Sequence, residues 1–193
     1  MPGKVLAAEL PTASGPEAGF FGKLPFTGDF VSRGLPRAFC KNWDAWVTQN
    51  LAGRLKDGTI WPDSGLRFRL TSGRRVAAGV IVPGYDAADR PFPLSLILIG
   101  ADLPGPDGMN LWCNAALLAA GPAQDGTASA DHLLEALDQI AAPVGEVLKT
   151  NDMLIWSNGK NAIGCDPADP AAAIRHAFAT VDAASSHAAP DRS

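Results

Sequence analysis

The sequence predicts a three-layer α/β sandwich: a central mixed, largely antiparallel sheet of about five or six strands with helices on both faces. Three observations lead there. Residues 94–99, LSLILI, are apolar at nearly every position, so this strand is covered on both faces. Leu66, Phe68 and Leu70 alternate with Arg67, Arg69 and Thr71, the period of a strand with one wet face. Phe39, Trp43, Trp46, Val47, Asn50, Leu51 and Leu55 recur instead at helical spacing. A strand with no wet face needs layers above and below it, and the later periodic segments are helical.

Residues 1–17 hold few bulky apolar groups beyond Val5, Leu6 and Leu10, and read as a flexible leader to a single folded domain, residues 18–185. Residues 18–23 carry Phe20 and Phe21 and form a first strand. The stretch that follows, to Pro36, is rich in glycine and proline yet holds Leu24, Phe26, Phe30, Val31 and Leu35. That much apolar area predicts an ordered, half-buried loop whose phenylalanines tie it to the core. One helix then runs from Pro36 to near Gly58, with Trp43 and Trp46 as core anchors. Ser72-Gly73-Arg74 turns a hairpin whose second arm, residues 76–82, is nearly all apolar and lies deeper in the sheet.

After the strand at 94–99, Met109, Trp112, Cys113, Ala116, Leu117 and Ala120 mark a helix that Gly121-Pro122 stops. Ser129 caps the next helix. Its stripe is Leu133, Leu137, Ile140, Ala141, Val144 and Leu148, with a break or kink at Pro143. Residues 152–157 read as a strand, Asn158-Gly159 as a turn and residues 162–165 as a shorter strand. Asp169 as N-cap and Pro170 as first residue open a last helix that buries Ile174, Ala177, Phe178 and Val181. Residues 186–193 are small, polar and expected to fray.

Composition narrows the function. With 193 residues, 47% hydrophobic and 19% charged, the chain buries a single core without staples. A net charge of −4 argues against a general nucleic-acid binder. The densest basic run, Arg67, Arg69, Arg74 and Arg75, reads as a solvated strand face. Cys40, Cys113 and Cys165 are odd in number and far apart, which suggests buried free thiols in a reducing compartment. No signal-peptide core and no membrane-length apolar run is visible, so the expectation is a cytoplasmic protein without membrane insertion.

No phosphate-binding glycine loop, nucleophile elbow, zinc-protease helix or paired-cysteine motif occurs. His132, His176 and His187 lie in the C-terminal third and read as surface residues, so no metal or cofactor site is expected. What remains is a set of fixed charges: Lys23, Asp29 and Arg33 in the first loop, Asp86, Asp89 and Arg90 in a second, between two neighbouring strands. These charges either tie the loops together by charge-assisted hydrogen bonds or present a recognition surface for a carboxylate or phosphate. A small-ligand-binding or weakly hydrolytic site using the Asp29 and Asp86 carboxylates is the alternative. The geometric expectation is that Lys23, Asp29, Arg33, Asp86 and Arg90 cluster at one end of the sheet.

These residues sit in ordered blocks: GFFGKLP with Gly22, Lys23 and Pro25; Gly28-Asp29-Phe30; Arg33-Gly34-Leu35-Pro36; and Trp43-Asp44-Ala45-Trp46. Further on come Gly79-Val80, Pro83-Gly84-Tyr85-Asp86 and Arg90-Pro91-Phe92-Pro93-Leu94. Across residues 18–100 the blocks resemble the TagF (ImpM) family of type VI secretion accessory proteins. Gly84 departs from the serine that family commonly has there, and residues 61–64 are more compact. The resemblance implies an α/β sandwich and a non-enzymatic, cytoplasmic regulator. Such a protein restrains secretion after translation by engaging a forkhead-associated-domain scaffold protein.

Overall fold

A computed structural model describes residues 15–179. The expected leader, apart from residues 15–17, lies outside them, as do Val181, His187 and the expected tail. Among the described residues seven strands and five α-helices follow one another: β1 (Glu17–Gly22), β2 (Val31–Arg33), α1 (Arg37–Val47), α2 (Gly53–Lys56), β3 (Leu66–Ser72), β4 (Arg75–Val82) and β5 (Leu94–Gly100). After them come α3 (Pro106–Gln124), α4 (Ala130–Asp138), β6 (Met153–Trp156), β7 (Ile163–Cys165) and α5 (Ala171–Phe178). The strands form one sheet in the order β2-β1-β5-β4-β3-β6-β7. Every pairing is antiparallel, so the sheet is not mixed. The strand that pattern reading missed is β2, three residues long, too short to display a period and recognisable only by its pairing with β1.

Strand alternation sorts the apolar residues onto two faces. Phe20, Val80 and Leu96 join Met109, Trp112 and Leu133 of α3 and α4 in one core. Phe21, Ile81 and Ile97 join Trp43, Val47 and Leu51 of the first helical segment and Ile174 of α5 in the other. Each such side chain withdrawn from water stabilises the fold by about 1.5–3 kcal/mol before entropy is counted. β4 and β5 lie in the middle, and β5 is buried along its whole length, as LSLILI requires.

The first helix stays helical from Arg37 to Lys56 but passes through a π turn at Thr48–Ala52. Trp43 is buried and its indole N–H donates to Ser95 Oγ at 2.9 Å; Trp46 is half-buried and donates to the Pro167 carbonyl at 2.9 Å.

Sequence readings of four single elements are corrected. The face of β3 that carries Arg67 and Arg69 is not wet: the two arginines are 0% and 1% exposed, covered by α3 and by the segment after α4. Arg74 and Arg75, at the turn, are exposed as expected. α3 is not stopped at Gly121-Pro122 but continues to Gln124, because Ala120 and Ala123 are buried in the core and Pro122 lies in the last turn, where few bonds are lost. α4, capped by Ser129 as expected (His132 N–H to Oγ, 3.2 Å), ends at Asp138. Leu133 and Leu137 are buried and Ile140 packs against the same core as expected, but the stripe does not continue as helix to Leu148, and Val144 is 87% exposed, since Pro143 disfavours helical backbone at the residue before it. Lastly, α5 begins at Ala171 with Pro170 in the cap position. Asp169 N–H instead closes a turn onto the Asp166 carbonyl at 2.9 Å.

Among the three free cysteines Cys113 is buried, and burial pushes its thiol up to about 12. Cys40 and Cys165 are only half-buried, which corrects the reading of all three as core thiols. Among the described residues no helix is long and apolar enough to cross a membrane, and no group of three or more His, Cys, Asp or Glu is placed to hold a metal ion.

Candidate functional site

Antiparallel register decides where the two signature loops meet. β1 leaves the sheet after Gly22 while its neighbour β5 enters at Leu94, and β4 leaves at Val82, paired with that same Leu94. Residues 23–30 and 83–93 therefore share one end of the sheet. Their backbones touch: Ala87 N–H donates to the Thr27 carbonyl at 2.9 Å. Pro25 begins a turn closed by Thr27 N–H on the Leu24 carbonyl at 3.0 Å, and Phe92 N–H on the Gly84 carbonyl, 2.9 Å, narrows the second loop.

Two glycines permit this approach. Gly22 has φ +149° and its would-be Cβ falls onto the Pro93 carbonyl; a Cβ on Gly84 would lie 2.6 Å from the Phe92 oxygen and 2.9 Å from that of Lys23. A side chain at position 84 would force one of these backbone segments to shift.

At the centre lies Asp86, 1% exposed. Its Oδ2 is 2.9 Å from Lys23 Nζ and 2.8 Å from Arg90 Nε. Its Oδ1 accepts the backbone N–H groups of Ala88 (2.9 Å) and Arg90 (3.0 Å). Burial by itself would raise the pKa of this carboxyl, but the hydrogen bonds from Lys23, the two backbone amides and Arg90 outweigh it and hold the group well below the usual carboxylate range. Arg90 also reaches across to the Gly28 carbonyl at 2.7 Å, and Lys23 Nζ to the Arg90 carbonyl at 3.4 Å. Asp86 is thus an ionised brace with both oxygens occupied, a poor proton acceptor for catalysis.

Of the five predicted charges the structure brings Lys23, Asp86 and Arg90 together. Asp29 stands beside them in the chain but is exposed, and its Oδ1 accepts the Phe30 N–H at 2.8 Å rather than joining an ion pair. Arg33 does not join. It sits farther along β2, opposite Phe20, and pairs with Asp131 of α4 at 2.7 Å. The period-2 direction of β2 carries it away from the loop end, which a reading of the stretch as irregular loop had no means to foresee. Gly34 follows with φ +72°, and Pro36 holds the cap position of α1.

Around the ion cluster the aromatic residues divide. Phe21 and Phe92 are buried, but Phe26, Phe30 and Tyr85 remain largely exposed, which corrects the expectation that the loop phenylalanines all serve the core. Phe30 meets Phe92 edge-on with centroids 4.7 Å apart, stacks on Phe21 at 5.9 Å and lies 5.3 Å beneath Lys23 Nζ. Its ring is thus packed against these neighbours and half-displayed. Pattern reading had no signal for this, because sequence does not separate a displayed phenylalanine from a buried one. Beside the cluster opens a cleft of about 690 Å³ lined by Lys23, Trp61, Pro83, Tyr85 and Asp89 among others; neither Asp29 nor Asp86 lines it.

The chain is similar to a protein of solved structure, PA0076 from Pseudomonas aeruginosa PAO1, at 29% identity over 75% of this chain and 72% of that one, with a TM-score of 0.50. No curated protein matches it. The family model described as TagF N-terminal domain, type VI secretion system-associated, matches residues 19–140. That span runs from β1 to just past α4 and includes both loops and the helix bearing the two tryptophans. The chain belongs to the type VI secretion system-associated TagF family.

Proposed function

We propose that this protein is a non-enzymatic, cytoplasmic accessory protein that restrains type VI secretion after translation, and that the two-loop end of its sheet binds a forkhead-associated-domain scaffold protein. The observation that carries the proposal is the Lys23–Asp86–Arg90 brace. It fixes two distant loops into one rigid surface and leaves Arg90, 62% exposed in its side chain, beside exposed Phe26, Phe30 and Tyr85. Arginine and aromatic side chains held in one conformation are what protein interfaces use as anchors, because little entropy is lost when they bind. Asp29 adds an exposed carboxylate to the same surface. Arg33 lies in a separate patch, paired with Asp131.

The hydrolytic alternative gains nothing from this geometry. Asp86 is saturated with donors, and neither proposed carboxylate faces the neighbouring cleft.

The test is calorimetric titration of the purified chain against the forkhead-associated domain encoded with its own secretion apparatus. Arg90→Ala and Tyr85→Ala, both checked for folding by circular dichroism, are expected to weaken binding by about tenfold or more. No binding by the wild type, or equal binding by both folded variants, would count against the proposal.

A further inference from the structure

Arg69 is buried in the middle of β3 with no carboxylate beside it. Its guanidinium donates to the carbonyls of Leu103, at 3.2 Å, and Leu148. Nε and the other terminal nitrogen are buried with no acceptor among the described residues, and none of the salt bridges there includes it. Neighbouring Arg67 shares the burial but is served by Asn110 and by Asn114, the latter at 2.6 Å. A guanidinium stays protonated at any physiological pH, so Arg69 keeps an uncompensated charge inside the protein.

That charge lies against a cleft of about 420 Å³ at the end of the sheet opposite the two loops. Leu148, whose carbonyl Arg69 holds, is part of the cleft wall. Arg74, in the β3–β4 turn, and Lys149 are exposed and line it too; Asp102 is the only carboxylate among the lining residues. Three cations thus face one acid in a chain whose net charge is −4. Thr71 and Asn151 add polar lining.

We propose that this cleft is a binding site for a phosphate-class oxyanion. Arg74 and Lys149 supply exposed donors, while Arg69 supplies charge from beneath the floor, where the low dielectric makes it felt strongly. The excess of positive charge matches a dianion, the prevailing form of a phosphate monoester at neutral pH, whose second pKa is about 6. The cleft has the size of a site for a small phosphorylated molecule. It stands apart from the two-loop surface, and neither reading depends on the other.

The experiment is titration of the isotopically labelled full chain with inorganic phosphate and with pyrophosphate, at ionic strength matched with chloride and followed by amide NMR. Saturable shifts confined to residues 69–76, 101–103 and 147–151 are expected. The double variant Arg74→Ala/Lys149→Ala should weaken the response at least tenfold, and Arg69→Met should weaken it while leaving the melting temperature nearly unchanged. If Arg69 only ties down Leu148, Arg69→Met will bind phosphate like the wild type and overturn its part in the proposal. Should that variant fail to fold, the surface double variant decides alone. Shifts that chloride reproduces, that never saturate, or that citrate produces and neither phosphate does, would overturn the site.

Discussion

At one end of the sheet Asp86 is buried with its counter-charges around it; toward the other, Arg69 is buried with backbone carbonyls but no carboxylate. Both arrangements take a charge out of water. At the loop end, two cations and two backbone amides converge on one carboxylate, so the desolvation cost is offset locally and the two loops become a single rigid unit. At the hairpin end the offset is incomplete, and positive potential spills into a cleft. The difference teaches that buried charge alone does not mark a site: what matters is whether the protein completes the neutralisation itself.

The largest effect separating the two ends is expected from Asp86→Ala. It strands Lys23 without its acid partner and removes the acceptor of two backbone amides, and the melting temperature should fall by about 10 °C or more. Arg69→Met, similar in volume, removes a cation that lacks an acid partner together with its donations to the Leu103 and Leu148 carbonyls, and should shift stability by only about 1 kcal/mol in either direction. Equal losses in the two melts would erase the contrast.

Acid titration sharpens it. Hydrogen bonding holds Asp86 well below the usual carboxylate range, so as pH falls past about 4 the unfolded chain takes up a proton that the folded chain refuses. The stability Asp86 contributes is complete above that pH and is lost as pH drops through the folded value. Melts between pH 6 and pH 3 should therefore show a steeper decline for the wild type than for Asp86→Asn. Parallel curves would mean that Asp86 is not the ionised brace.

The smallest effect belongs to Arg33→Ala. Its bridge to Asp131 joins two exposed side chains, and its loss should cost about 0.2–1 kcal/mol by denaturant melt. A loss as large as that of Asp86→Ala would place Arg33 within the brace after all.

Much of this was legible beforehand where the local pattern carried the information. LSLILI announced a central strand, Trp43 and its neighbours a helix, and Ser129 a cap, because each depends on residues a few positions apart. The meeting of Lys23 with Asp86 and Arg90 was foreseeable from motif blocks and hairpin logic. Arg67 and Arg69 misled because alternation reports that two faces differ, not what covers the second one. Here the cover is α3, whose Asn110 and Asn114 sit on a largely apolar helix, and a non-helical segment after Pro143.

Sequence by itself thus settled the element types other than β2, the family blocks and the charged residues worth following, since propensity, periodicity and turn chemistry act within a short stretch of chain. Folding in three dimensions settled which of those charges are spent and which are displayed. Asp86 proved to be an internal brace, Arg33 a partner of α4, and Phe30 and Tyr85 surface residues. Arg69, read as solvated, became the buried cation behind a cleft. Burial and pairing depend on contacts between residues tens of positions apart, and antiparallel register, which no local window contains, decides those contacts.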